Sequence, residues 1–153
     1  MDEKKPGLEW NKRLLLDIPI IDKQHERLIE LTNDLLQTID LTQENSNSAF
    51  LIEDAHKTLS YLYHHFATEE KMMLLFECDK YTSHKIEHES CLKEISSQLP
   101  AQGSNEDFSP EAFVNYFQSW LLSHITVHDR ALADYIIGMI EYEKLLMIFP
   151  TTA

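Results

Sequence analysis

Apolar positions recur at intervals of three and four through most of the chain, the pattern of helices that bury one face. In residues 22–40, Leu28, Ile29, Leu31, Leu35, Leu36 and Ile39 keep this spacing. Asp22 stands where an N-cap carboxylate would accept from the free N–H groups of the first turn. Ahead of it, Pro6 and Pro19 flank an apolar stretch, so residues 1–21 read as an extended arm laid on the core. A polar break, TQENSNS, leads to a second helix over about 48–76, with Leu51, Leu62, His65, Glu69, Met72 and Phe76 close to one stripe. CDKY makes a tight turn into a third helix, about 82–98, carrying His84, His88, Cys91, Leu92, Ile95 and Leu99 in register.

The clearest loop is PAQGSNEDFSP. Ser109 then caps a fourth helix over about 110–128, with Pro110 at the first position, where its missing N–H costs nothing. That helix carries Phe113, Phe117, Trp120, Leu121 and His124. The extension 130–149 contains ADYIIGMIEYEKLLMIF, too apolar for a solvated coil. It is expected to pack on the bundle as a fifth helix, in preference to pairing two subunits as an exposed amphipathic helix. The whole, 1–153, reads as a single all-α domain: an antiparallel up-and-down four-helix bundle with an N-terminal arm and a C-terminal helical extension.

Composition narrows the partners. With 43% hydrophobic and 25% charged residues the chain has the make-up of a soluble globular protein, and three glycines leave few helix breakers. A net charge of −13 argues against nucleic acid or an anionic membrane surface as a partner. The apolar runs fall short of the roughly 18 residues that span a bilayer. MDEKKPGLEW lacks the apolar stretch of a secretory signal, so the expected location is cytoplasmic. Cys78 and Cys91 form no CxxC and read as reduced thiols, with Cys91 buried.

Five of the eight histidines, with two carboxylates, sit where four successive helices could deliver them to one point: His25, His65, Glu69, His84, His88, His124 and Asp129. Residues four apart differ by about 40° around a helix, so His65/Glu69 and His84/His88 each share a face, and the apolar residues in register put that face inside. Burying such a set is costly unless something compensates it, and a bound metal does so. Seven ligands are too many for one ion and suit two ions bridged by carboxylates. On the last helix, naive spacing selects His128, four after His124. Asp129, five after it, requires a local π-turn to reach the same face. The need for a second bridging anion favours Asp129 without excluding His128. His64 points away along the line of Ser60 and Thr68, and His56 lies on that polar line too; both read as solvated. Met72 and Met73 read as core filling.

IIDKQH, HFATEE, the HKIEH pair and WLLSHITVHD, running from Trp10 to near Tyr135, resemble the haemerythrin family, in particular its single-domain bacterial members. The resemblance implies two non-haem iron ions with an oxo or hydroxo bridge. It implies that His84, His88 and His124 hold one iron, His25 and His65 the other, and that Glu69 and Asp129 bridge them, which settles Asp129 over His128. Trp120 matches an aromatic packed beside the ligands, and Leu121 and Ile125 match apolar residues near the oxygen pocket. Leu28, Ile29 and Leu62 complete its expected walls. Three histidines against two leave one iron five-coordinate, and the implied function is reversible O2 binding there, as carrier, store or supply.

Two other functions share the scaffold. One is a di-iron oxidase, peroxidase or nitric-oxide-consuming enzyme that turns over peroxide or nitric oxide at the open site; its carboxylate-bridged, ferritin-like version would place Glu-x-x-His on two helices. Only Glu53–His56 matches, on a polar face. A sensor module would have to act through a partner, with the apolar extension as its contact. A homodimer through that extension is a further possibility.

Overall fold

The computed structural model describes residues 7–41, 48–104 and 106–150. Its regular elements are all helical: α1 (Pro19–Leu41), α2 (Ser48–Leu75), α3 (Tyr81–Gln98), α4 (Pro110–His124) and α5 (Arg130–Ile148). A 3-10 turn covers Lys12–Leu14, and a π segment, Ile125–Asp129, joins α4 to α5. α1 packs on α2 and α4, and α3 on α2 and α4, closing a four-helix ring. The polar break expected to link the first two helices falls at 42–47, outside the described residues.

α1 begins three residues earlier than the pattern suggests, because proline's fixed φ suits a first helical turn. Asp22 is therefore inside that turn and does not cap it. Its carboxylate accepts instead from the Leu16 N–H at 2.8 Å, tying the arm to the helix. The arm is less extended than expected, since Asn11 Oδ1 accepts from the Arg13 N–H at 2.9 Å and starts the 3-10 turn. The Asn33 amide donates to Leu8 O at 2.8 Å and accepts from Leu8 N–H at 3.1 Å. A Cβ at Gly7 would run into that amide. Arg130 donates to Leu15 O at 2.9 Å, holding the arm to the start of α5.

After α2, Glu77 takes a left-handed φ of 51° and the Cys78 N–H reaches back to Met73 O at 2.8 Å. The Tyr135 hydroxyl, from α5, donates to Phe76 O at 2.7 Å and so satisfies a carbonyl this end leaves free. Ser109 caps α4 as the pattern indicates, its Oγ accepting from Ala112 N–H at 3.3 Å.

The core is layered along the bundle axis. One layer gathers Leu28, Leu35, Leu62, Phe66, Cys91, Ile95, Phe113, Phe117, Leu121 and Ile125. At the other end, Met73, Cys78, Leu132 and Ile136 form one apolar cluster and Leu16, Ile21 and Ala133 another. On α2 the buried methionine of this end is Met73, and Met72 and Phe76 are only half-buried. Between the layers lies a band of ionisable side chains.

α5 continues past the bundle without folding back. Its first half is covered through Leu132, Ala133 and Ile136. Its second half exposes Ile140, Tyr142, Leu145, Met147, Ile148 and Phe149, with Met147 84% and Phe149 71% exposed. The expected intramolecular packing thus holds for the first half only. Among the described residues, no helix is long and apolar enough to cross a membrane.

Candidate metal centre

The ionisable band is built by helical spacing alone on three helices and by a spacing fault on the fourth. α1 contributes His25, one turn from Ile21 and Leu28 of the two apolar layers. α2 contributes His65 and Glu69, and α3 contributes His84 and His88. On the last helix the π segment does what regular spacing cannot: the Arg130 N–H donates back to Ile125 O, five residues earlier, so His124 and Asp129 face the same interior point. All seven side chains are buried, with His25, His65 and Glu69 at 0% exposure.

Their polar atoms divide into two groups. His25, His65, Glu69 and Asp129 converge on one point, and His84, His88, His124, Glu69 and Asp129 on another. Each carboxylate presents an oxygen to both. Glu69 Oε1 is 2.8 Å from His65 Nε2 and 3.5 Å from His25 Nε2, while Oε2 is 3.0 Å from His88 Nε2 and 3.3 Å from His84 Nε2. Asp129 Oδ2 is 2.9 Å from His25 Nε2, and Oδ1 is 3.0 Å from His124 Nε2 and 3.1 Å from His84 Nε2. The Nε2 atoms of His84 and His88 each stand 3.1 Å from that of His124.

These atoms point past one another. Both oxygens of Glu69 and of Asp129, and Nε2 of His25 and His65, are buried with no hydrogen-bond partner. Leaving so many buried polar atoms unsatisfied is costly, and a cation at their common focus would compensate that cost. Donors bound at right angles about 2.1 Å from an ion lie about 3.0 Å apart, which the spacing here matches. Nitrogen and carboxylate donors in this mixture fit first-row transition metals better than magnesium or calcium.

Electrostatics show what holds the cluster together when protons fill the role of the cation. Burial works to lower His25 and His84, but the carboxylates of Asp129 and Glu69 beside them overcome it and raise each to about 9. Burial likewise opposes the charged forms of Glu69 and Asp129, and the surrounding imidazoles outweigh it, holding both carboxyls below their usual range. His88, where burial wins, is lowered.

The structure gathers all seven sequence-selected residues and leaves His56 and His64 out, while His128 stands at the margin with His124 and Glu87. His128 is half-exposed, its Nε2 3.8 Å from Glu87 Oε2. His64 is exposed, as expected. His56 departs from the expectation of a solvated side chain: it is half-buried, with Nε2 2.7 Å from Pro100 O. Of the residues selected as pocket walls, Leu28, Ile29, Leu62, Leu121 and Ile125 are buried in the apolar layer beside the cluster. Trp120 is half-buried and stacks on His124 at 4.3 Å. A cavity of about 450 Å³, lined by His84, His128, Cys78, Lys80, Leu132 and Tyr135 among others, opens on the three-histidine side.

Sequence reasoning missed three neighbours. Phe66 stacks on His88, rings 3.8 Å apart and 6° from parallel. Gln24 Oε1 lies 2.8 Å from His65 Nδ1. Glu70 Oε1 lies 3.5 Å from His88 Nδ1. Each follows or precedes a ligand directly in sequence, so spacing within one helix turns it away, and only the facing helix gives it a role. Phe66 had a signal: it lies four after Leu62 on the inner stripe.

A bundle of four helices enclosing two carboxylate-linked groups of nitrogen donors has an architecture that could hold two metal ions. Residues 16–136 match the family model described as the hemerythrin HHE cation binding domain, and the chain belongs to the haemerythrin family. A protein of Stenotrophomonas maltophilia named bacteriohemerythrin is 31% identical over 84% of this chain and 81% of its own. Bacteriohemerythrins of Aquifex aeolicus and Clostridium acetobutylicum are 31% and 25% identical, covering 76% and 82% of this chain and 87% and 98% of theirs. No solved structure matches.

Proposed function

We propose that the protein holds two non-haem iron ions and binds O2 reversibly, serving as an oxygen carrier, store or supplier. The observation that carries this reading is the unequal division of donors, five against four, with Glu69 and Asp129 common to both groups. His84, His88 and His124 would hold one ion and His25 and His65 the other, with the two carboxylates spanning them. Iron there would supply the electrons that O2 binding draws on and an open position on the side with fewer protein donors.

The chain's own residues do the rest. Two cations close together repel, and the buried anionic carboxylates offset this repulsion where imidazoles could not. Phe66 and Trp120 clamp the rings of His88 and His124, fixing the direction of their nitrogens. Leu28, Ile29, Leu62, Leu121 and Ile125 form a dry wall that keeps water, and with it irreversible oxidation, from the site. An iron count of two per chain, with a visible spectrum that changes in air and returns under nitrogen, is the expected result. A chain that takes up no iron, or oxidises once and never returns, sinks the reading.

A second reading keeps the same open position on the two-histidine side, the cavity beside His84 bordering the other group. It is consumption of peroxide or nitric oxide, and steady-state turnover above that of free iron would support it. The exposed end of α5 also supports pairing of two copies. Glu143 and Lys144 both border the apolar groove formed there with Leu75, Phe76, Met139, Ile140 and Met147, so a two-fold contact can oppose unlike charges at its edge.

A further inference from the structure

We propose that Gln24 is a positioning residue for the two-histidine half of the centre. On this view its amide fixes His65 with the proton on Nδ1 and Nε2 bare, and its neutrality limits how strongly His65 donates to a metal. The inference rests on the di-iron reading above. It is carried by a chain of hydrogen bonds in which each hydrogen has one place to go.

The chain starts at Thr68, whose hydroxyl donates its only hydrogen to His64 O at 3.1 Å. The oxygen's lone pairs are left to accept, and Gln24 Nε2 donates to it at 3.0 Å. The same amide nitrogen lies 3.4 Å from His64 Nε2. Nitrogen on that side puts Gln24 Oε1 on the other, 2.8 Å from His65 Nδ1. A carbonyl oxygen can only accept, so Nδ1 carries the hydrogen. In a neutral imidazole the other nitrogen is then a lone pair. That nitrogen, Nε2, is the buried atom 2.8 Å from Glu69 Oε1. Ligation needs this tautomer, and the network on α1 and α2 selects it before any ion arrives.

The other half is built differently. His88 Nδ1 stands 3.5 Å from the carboxylate of Glu70 without a hydrogen bond, and Nδ1 of His124, like that of His25 on the side of His65, has no hydrogen-bond partner. A carboxylate pulls the Nδ1 proton toward itself and makes the imidazole a stronger donor, which favours a more highly charged metal. An amide orients the ring without that pull. Gln24 is only 5% exposed, so water is poorly placed to replace it. A weaker donor on the side with fewer ligands keeps the reduced ion accessible, which a reversible site requires.

The test compares wild type, Gln24→Leu and Gln24→Glu, each loaded with ferrous iron under nitrogen against a competing chelator. Reduction potentials, and 15N shifts of the His65 ring in the Zn2+-loaded protein, are recorded alongside. Wild type should show His65 protonated at Nδ1. Gln24→Leu should weaken one of the two ions about 10–100-fold and leave the other unchanged. Gln24→Glu should keep both ions, lower the reduction potential and oxidise faster in air. A residue that merely fills space would leave the His65 ring 15N shifts of Gln24→Glu as in wild type, and that result overturns the proposal. So does Gln24→Leu binding both ions as wild type does. Wild type binding fewer than two ions would instead sink the di-iron reading itself.

Discussion

Replacing His65 by Ala and, separately, Glu69 by Ala divides the centre in two different ways. His65 belongs to the group of four donors only, whereas Glu69 belongs to both groups. Loss of His65 leaves donor counts of five and three; loss of Glu69 leaves four and three. Four-ligand structural zinc sites are worth about 10–16 kcal/mol, so one donor contributes about 3 kcal/mol, or about two decades in Kd. His65→Ala should therefore weaken one ion about 100-fold and spare the other. Glu69→Ala should weaken both, and by more than donor counting suggests, because its charge also offsets the repulsion between the ions. Calorimetric titration with Zn2+, which is redox-silent, reads the two affinities separately, and far-UV circular dichroism checks that each variant keeps its helices. His65→Ala weakening both ions alike, or Glu69→Ala leaving one at its wild-type affinity, would refute the assignment of the two groups.

In the metal-free protein, His25 and His84 are raised to about 9 from an ordinary 6.5. Their contribution to stability is full below about 6.5 and is lost as pH rises through about 9, with lowered His88 working the other way. Glu69 and Asp129, both held low, lose their contribution as pH falls below the ordinary carboxylate range. Denaturant titrations should thus place the metal-free optimum in mildly acidic solution, and zinc uptake should release protons and tighten as pH rises toward 9; the opposite slope contradicts the cluster's charge state. Phe66→Ala should cost about 3–5 kcal/mol in the same titrations, because a buried ring and its stack on His88 are lost together. Deleting Val127 should turn the π segment into a regular α-turn with the aspartate four residues after His124, on the same face, so that both ions stay tightly bound; loss of the second ion in that variant would show that more than the shared face positions the carboxylate. Sedimentation velocity should show self-association that Met147→Glu with Phe149→Glu removes, and a wild-type monomer at high concentration argues against pairing through α5.

Much of this was legible because helix geometry converts spacing into direction. His84/His88 and His65/Glu69 needed only the four-residue rule. Asp129 needed chemistry as well: the argument for a second bridging anion weighed against the simpler spacing of His128, and the π segment is what brings the Asp129 carboxylate to the same point as His124. Contacts between helices were not legible. Gln24 sits beside His25 yet serves His65 on another helix, and Phe66 sits beside His65 yet packs on His88. The boundary of α1 is not fixed by the sequence pattern, because an acidic residue near a helix start can bond forward into the helix or, as Asp22 does, sideways to another segment. The fate of the extension escaped periodicity too, since an apolar stripe says that a face is to be covered and not by what.

The layered core explains how a fold can carry seven ionisable groups at its centre. Filled with protons alone, the cluster has four carboxylate oxygens and five imidazole nitrogens without hydrogen bonds, a destabilising core by any count. The helices nonetheless stay aligned because apolar clusters lie on both sides of it along the same four helices. α1 passes from Ile21 through His25 to Leu28, and α2 from Met73 through Glu69 and His65 to Leu62. The last helix passes from Ala133 through Asp129 and His124 to Leu121. Each donor is thus fixed from above and below by residues that never touch an ion. It follows that substitutions in the apolar layers should shift stability with little change in the ratio of the two metal affinities, while substitutions in the band should change the ratio. Leu35→Ala, a buried site away from the band, separates these effects: about 2–5 kcal/mol of stability lost with both zinc affinities moving together. Affinities that diverge in that variant would mean the layers tune the centre, and that the unequal halves are not set by donor number alone.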